Sequence, residues 1–108
     1  MTVQAMAEAL RLTPLCVPEP DREVTGGYTG DLLSWVMGNA QSGDAWITIM
    51  SNDNVIAVAV LTDVACVILS EGVTLDERLL ALAEKKSVNV FSTELSSFAV
   101  GAKAAALL

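Results

Sequence analysis

Residues 64–69, Val-Ala-Cys-Val-Ile-Leu, are apolar without a break. A run that short and that continuous suits a strand buried on both faces, as in sheets whose two sides are covered by helices. The residues after it carry the same theme. Thr74-Leu75-Asp76-Glu77 reads as a capping box that opens a helix, with Leu75, Leu79 and Leu82 toward the core. Lys85 and Lys86 stand at the end of that helix, where the macrodipole favours cations, so cap and charge give it one orientation. Residues 88–91 are a further short strand, and Thr93 is placed to cap a final Ala-rich helix reaching the C-terminus. Gly101 within that helix costs about 1 kcal/mol relative to Ala, which marks close packing against a neighbour. Residues 45–50 alternate as a strand does. Residues 55–61 are open on their own: β-branched side chains suit a strand paired through a turn at 51–54. Yet Ser51, Asn52, Asp53 and Asn54 are equally good helix caps, and Ala57 and Ala59 suit a helix packed on a sheet. Strand and helix alternate over this half, which predicts right-handed crossovers and a parallel or mixed sheet.

The first half is less regular. Residues 2–11 have helical spacing, with Val3, Met6, Ala7 and Leu10 on one side. Residues 12–17 read as a short strand closed by Pro18-Glu19-Pro20, where each proline removes a ladder donor and stops a helix. A second helix spans about residues 31–41, with Leu32, Leu33, Trp35, Val36 and Ala40 forming a broad apolar face and Asp31 in the first turn. Between these elements lies a stretch, 18–30, with little regular structure, and a loop of that length in a domain this small is usually functional or interfacial.

A chain of 108 residues is one domain, large enough for a core without metal or disulfide staples. It is 53% apolar but only 5% aromatic, the composition of a compact α/β protein, and the order of its elements gives a parallel or mixed sheet of about four to five strands flanked by helices. The net charge of −7, with six scattered Lys and Arg, excludes a phosphate-tracking nucleic-acid surface and docking on an anionic membrane. The longest apolar run, 55–69, is broken by Thr62 and Asp63 and is too short to span a bilayer. No basic stretch precedes an apolar one at the N-terminus, so no signal peptide is expected and the cytoplasm is the default. Cys16 and Cys66, far apart and in apolar surroundings, read as two reduced core thiols. No metal and no other cofactor is implied.

Chemistry is sparse. The chain has no histidine, so the usual base near neutral pH is missing and a buried carboxylate would have to serve. Asp63, between two apolar runs, is the best placed for a raised pKa, and Asp53 is second. Ser96 and Ser97 have no base partner, and Cys66 has no cation to make it a thiolate. The reading is non-enzymatic. Gly26-Gly27 followed by Thr29-Gly30 and a helix start could cradle an anion on converging N–H groups. The ligand candidates are then Arg22, Thr25, Gly26, Gly27, Thr29, Gly30 and Asp31, with Arg22 as counter-charge to a nucleotide or other phosphorylated molecule. The same glycines equally suit a tight turn, with Asp21 paired to Arg22 or capping it. Trp35 and Met37 share the helix that follows, and with Tyr28 they make a candidate self-association surface.

The residues Asp21, Arg22, Thr25, Gly26 and Gly27, with Glu23-Val24 inserted after the arginine, resemble the signature of the DRTGG domain family. The resemblance runs from about residue 12 to the C-terminus and makes residues 1–108 a single DRTGG-like domain. It implies a fold similar to the N-terminal domain of HPr kinase/phosphorylase, and a helix rather than a strand at 54–61. In relatives that carry CBS or acetyltransferase domains, such a domain looks like a dimerisation and regulatory element. Stand-alone versions resemble accessory proteins of anaerobic bacteria. The resemblance therefore implies a regulatory module that forms a homodimer, with residues 21–33 at or near the interface and an unidentified protein as its further partner.

Overall fold

The computed structural model describes residues 1–108. The chain runs α1 (Val3–Leu10), β1 (Thr13–Cys16), β2 (Gly26–Thr29), α2 (Leu33–Asn39), β3 (Asp44–Thr48), α3 (Asn54–Thr62), β4 (Cys66–Leu69), α4 (Glu77–Lys85), β5 (Val90–Ser92) and α5 (Ser97–Leu107). The strands form one five-stranded sheet in the order β1-β5-β4-β3-β2. From β2 through β5 all neighbours are parallel, and β1 alone is antiparallel, on β5. The α/β class and the mixed sheet are those implied by the alternation of elements, and residues 54–62 are helical.

Two cores lie on the two faces of the sheet. One is built from α2, α3 and α4 through Val36, Val55, Ile56, Ala59, Leu79 and Ala83. The other is built from α1 and α5 through Val3, Met6, Ala7, Leu10, Val100 and Ala104. Strand alternation connects them. In β3, Ala45 and Ile47 face the α1/α5 side while Trp46 faces the α2/α3/α4 side, and Cys66 and Val67 of β4 divide in the same way. This is why β4 reads as continuously apolar: both of its faces are buried.

Several local expectations are corrected. Residues 26–29 are not loop but the strand β2, paired to β3 from Gly26↔Asp44 to Thr29↔Ile47. α2 starts at Leu33 with Leu32 as its cap residue and no acidic side chain in its first turn. Asp31 instead accepts hydrogen bonds from Thr48 Oγ1 at 2.8 Å and the Ile49 N–H at 2.9 Å, tying the end of β2 to the end of β3. The cap of α4 is Asp76, which accepts from the Leu79 N–H, so the helix starts two residues beyond the Thr74 expected from the box. Ser96, not Thr93, caps α5. In both cases the hydroxyl or carboxylate adjacent to the first turn takes the orphan N–H groups.

Candidate functional site at the β2 edge

β2 is an edge strand with β3 as its one partner, so a row of its backbone groups faces outward. In Gly-Gly-Tyr-Thr the two glycines offset the strand preference of Tyr28 and Thr29; the surroundings add the reason for a strand. A Cβ on Gly26 would stand 2.8 Å from Asp44 Oδ1, so only glycine fits there without movement. Tyr28, half-buried, packs on the α2/α3/α4 core. The Gly30 carbonyl accepts from the buried Trp46 indole N–H at 2.9 Å, and the Gly30 N–H donates to the Ile47 carbonyl at 3.1 Å. The turn before β3 has Gly43 at φ +86° beside Thr25, a left-handed conformation that a side chain would strain.

Arg22 is not directed at the glycines. Its guanidinium meets Asp63 Oδ1 at 3.0 Å and donates to the Asp63 carbonyl at 2.6 Å, at the C-terminal end of α3. Asp63 also accepts from the Ser42 hydroxyl. These contacts, the Ser42 hydrogen bond foremost and then Arg22, hold its carboxyl below the usual range. The expected desolvated, raised Asp63 is thereby corrected: its side chain is 61% exposed and stays ionised. Asp53, at the opposite end of α3, pairs with Arg78 at 2.7 Å. The two carboxylates cannot form an acid–base pair, being separated by the length of the helix. Asp21, expected beside Arg22, is exposed.

On the α5 side, a groove of about 290 Å³ runs between β2 and that helix, lined by Gly26, Gly27, Thr29, Gly101, Ala104 and Ala105 among others, with no charged side chain. Large apolar side chains stand exposed on the helix that follows β2 and on the helix packed over it: Leu32 at 62%, Trp35 at 63% and Met37 at 50% in and before α2, and Phe98 at 86% on α5. The sequence pattern of the DRTGG domain family matches residues 32–107. The chain belongs to the DRTGG domain family.

The matched residues begin just beyond β2, so membership rests on the α2-to-α5 portion, and the Asp21–Gly27 motif lies ahead of it. Among solved structures, this DRTGG domain is similar to the CBS and DRTGG domains of the regulatory region of Clostridium perfringens pyrophosphatase, complexed with its activator diadenosine tetraphosphate. The TM-score is 0.72 at 17% identity over 96% of this chain, a likeness of fold. The chain spans 46% of that structure's length. Among curated proteins no sequence matches it.

The structure of the DRTGG domain brings Thr25, Gly26, Gly27, Thr29 and Gly30 into one edge and leaves Arg22 on α3. Leu32 belongs to the apolar face expected of the second helix, whereas Phe98 has no place among the expected site residues. For Phe98 a signal existed: Val100 and Ala104 mark the buried face of α5, and a residue two positions before Val100 lies about 160° away from it around the helix. The cysteines are both buried and free. Cys16 belongs to the α2/α3/α4 core and Cys66 to the α1/α5 core, so the sheet lies between them. Burial, with Glu84 nearby, pushes the Cys16 thiol up to about 11, and burial pushes Cys66 up to about 12. Neither is a thiolate at neutral pH.

Proposed function

We propose that this DRTGG domain is a non-catalytic regulatory module that self-associates as a homodimer, with residues 21–33 at or beside the interface and a further protein as the target it regulates. The observation that carries the reading is the open edge of β2, together with the exposed side chains of Leu32, Trp35 and Met37 at the helix that follows it and of Phe98 on the helix packed over it. Apolar residues clustered beside an unpaired strand edge are what an association surface offers, and what an isolated monomer avoids. The wide separation of Asp53 and Asp63 supports a role without catalysis. Sedimentation velocity over a concentration series tests the reading: a monomer–dimer transition is expected, and Trp35→Glu weakens it about tenfold or more. A monomer at every concentration sinks it.

A second reading places a nucleotide or other phosphorylated molecule on Thr25, Gly26, Gly27, Thr29, Gly30 and Asp31, with Arg22 released from Asp63 as counter-charge. It is favoured by the nucleotide activator in the C. perfringens regulatory region. Diadenosine tetraphosphate at a hundred times its dissociation constant would stabilise the fold by about 2.7 kcal/mol. No change in melting temperature with that compound at millimolar concentration removes this reading.

A further inference from the structure

Resting on the self-association reading, we infer that two copies pair β2 to β2 antiparallel across a twofold axis, continuing the sheet from one copy into the other, with Phe98 of each seated in the β2–α5 groove of its partner. Four observations carry this.

The two edges of the sheet are unequal. β1 and β2 each have four residues. β1 contains Pro14 and a register irregularity between Pro14 and Cys16, two devices that keep an edge from pairing with another chain. β2 has neither, pairs regularly along its length with β3, and contains no charge.

The surroundings of β2 carry little charge in a chain of net charge −7: in residues 25–43 and 95–108 the charged side chains are Asp31, tied to Thr48 and Ile49, and Lys103. Two identical acidic molecules repel over most of their surfaces, and this face is where they approach at least electrostatic cost.

The spacing also fits. α5 packs over β2 and β3, so its axis lies slightly inward of β2. With paired strands about 4.8 Å apart, the two α5 helices come to lie roughly 10 Å apart, the usual distance for packed helices. The α5 surface there is made of small residues, Gly101, Ala102 and Ala105.

Finally, the groove and the projecting side chain are complementary. Phe98 and Gly101 lie at the Thr29 end of β2. Residues 105–108 lie about 10 Å further along the helix, level with Gly26, which is about 10 Å back along the strand. Antiparallel pairing therefore carries the partner's Phe98 to the Gly26, Ala105 and Leu108 end of the groove. That groove, of about 290 Å³, is open, apolar and large enough for an aromatic ring, and the contact occurs twice by symmetry.

The test is sedimentation equilibrium of the wild type, Phe98→Glu and Ala105→Glu, with amide hydrogen exchange of the wild type below and above its dissociation constant. Both substituted positions are exposed, and circular dichroism checks the fold of each variant. The expected result is a dissociation constant raised about 30-fold or more in either variant, with slowed exchange in residues 26–28 confined to the dimer. A wild type that stays monomeric overturns both this inference and the reading it rests on. A wild-type dimer whose affinity survives Phe98→Glu and Ala105→Glu, or whose 26–28 amides exchange equally in both states, leaves the homodimer standing and overturns the strand-paired form.

Discussion

Arg22 grips Asp63 by both its carboxylate and its carbonyl, and this closes the 18–25 segment onto the end of α3. Because the carboxyl of Asp63 is held below the usual range, the ionised form is the one the fold favours. Its contribution is complete above the unfolded-state pKa of about 3.9 and is lost as pH falls through the lower folded value. Both side chains keep contact with water, so Arg22→Ala should cost no more than about 1 kcal/mol at neutral pH. Urea unfolding of the two proteins at pH 7 and at about pH 2.5 should show the difference narrowing on acidification; a constant difference would assign Arg22's contribution to the carbonyl alone. The glycines and Arg22 were legible as a marked segment, but where the arginine points was not. Its partner is 41 residues away, and sequence neighbourhood favoured Asp21. Asn89 shows the same limit. It is 1% exposed, donates to the carbonyls of Glu19 and Ala65 and accepts from the Glu19 N–H. Nothing in Val-Asn-Val signals that one amide clasps the proline segment to the start of two strands.

At the scale of elements, what could be read was what is periodic. α1 buries Val3, Met6, Ala7 and Leu10, the side its spacing indicates, and β4 is buried throughout. β2 was missed because its strand character comes from outside: β3 offers a ladder, Trp46 and Asp31 tie its end, and Asp44 leaves Gly26 no room for a Cβ. Caps slid by two or three residues wherever more than one Ser, Thr or Asp preceded a helix, since local sequence gives each a similar claim on the first N–H groups. Gly101 is a further case. α5 does run close over the sheet, but a Cβ there would meet Thr29 Oγ1 at 3.7 Å and Ile47 Cδ1 at 3.8 Å, ordinary contact distances. The glycine is therefore not required by space for a methyl group. Gly101→Ala should raise stability by about 0.5–1 kcal/mol through helix propensity, read as a higher urea midpoint with an unchanged slope. Gly26→Ala, with its Cβ against Asp44, should lower it, and equal effects of the two substitutions would contradict these packing distances.

For the whole molecule, the acidic charge and the neutral β2 edge make a joint statement about assembly. No helix is long and apolar enough to cross a membrane, and the exposed apolar side chains concentrate beside one strand and on α3, where Val60 and Leu61 are 48% and 73% exposed. The α3 patch borders Lys86 and the charged neighbours Arg22, Asp63 and Glu19, so contact through it would bring ion pairs into play. Contact through β2, α2 and the Phe98–Ala102 part of α5, which hold no charged side chain, would not. The two surfaces consequently differ in salt dependence. If copies meet at the β2 edge, the salt-sensitive term is the repulsion between two net charges of −7. Shortening the screening length from roughly 14 Å to about 4 Å, by raising ionic strength from about 0.05 M to 0.5 M, weakens that repulsion. The dimer should then tighten slightly, by less than about threefold, in sedimentation equilibrium at the two salt concentrations. A dimer that loosens several-fold with salt would mean that opposite charges hold it, and would shift the interface from β2 to the charged rim of α3.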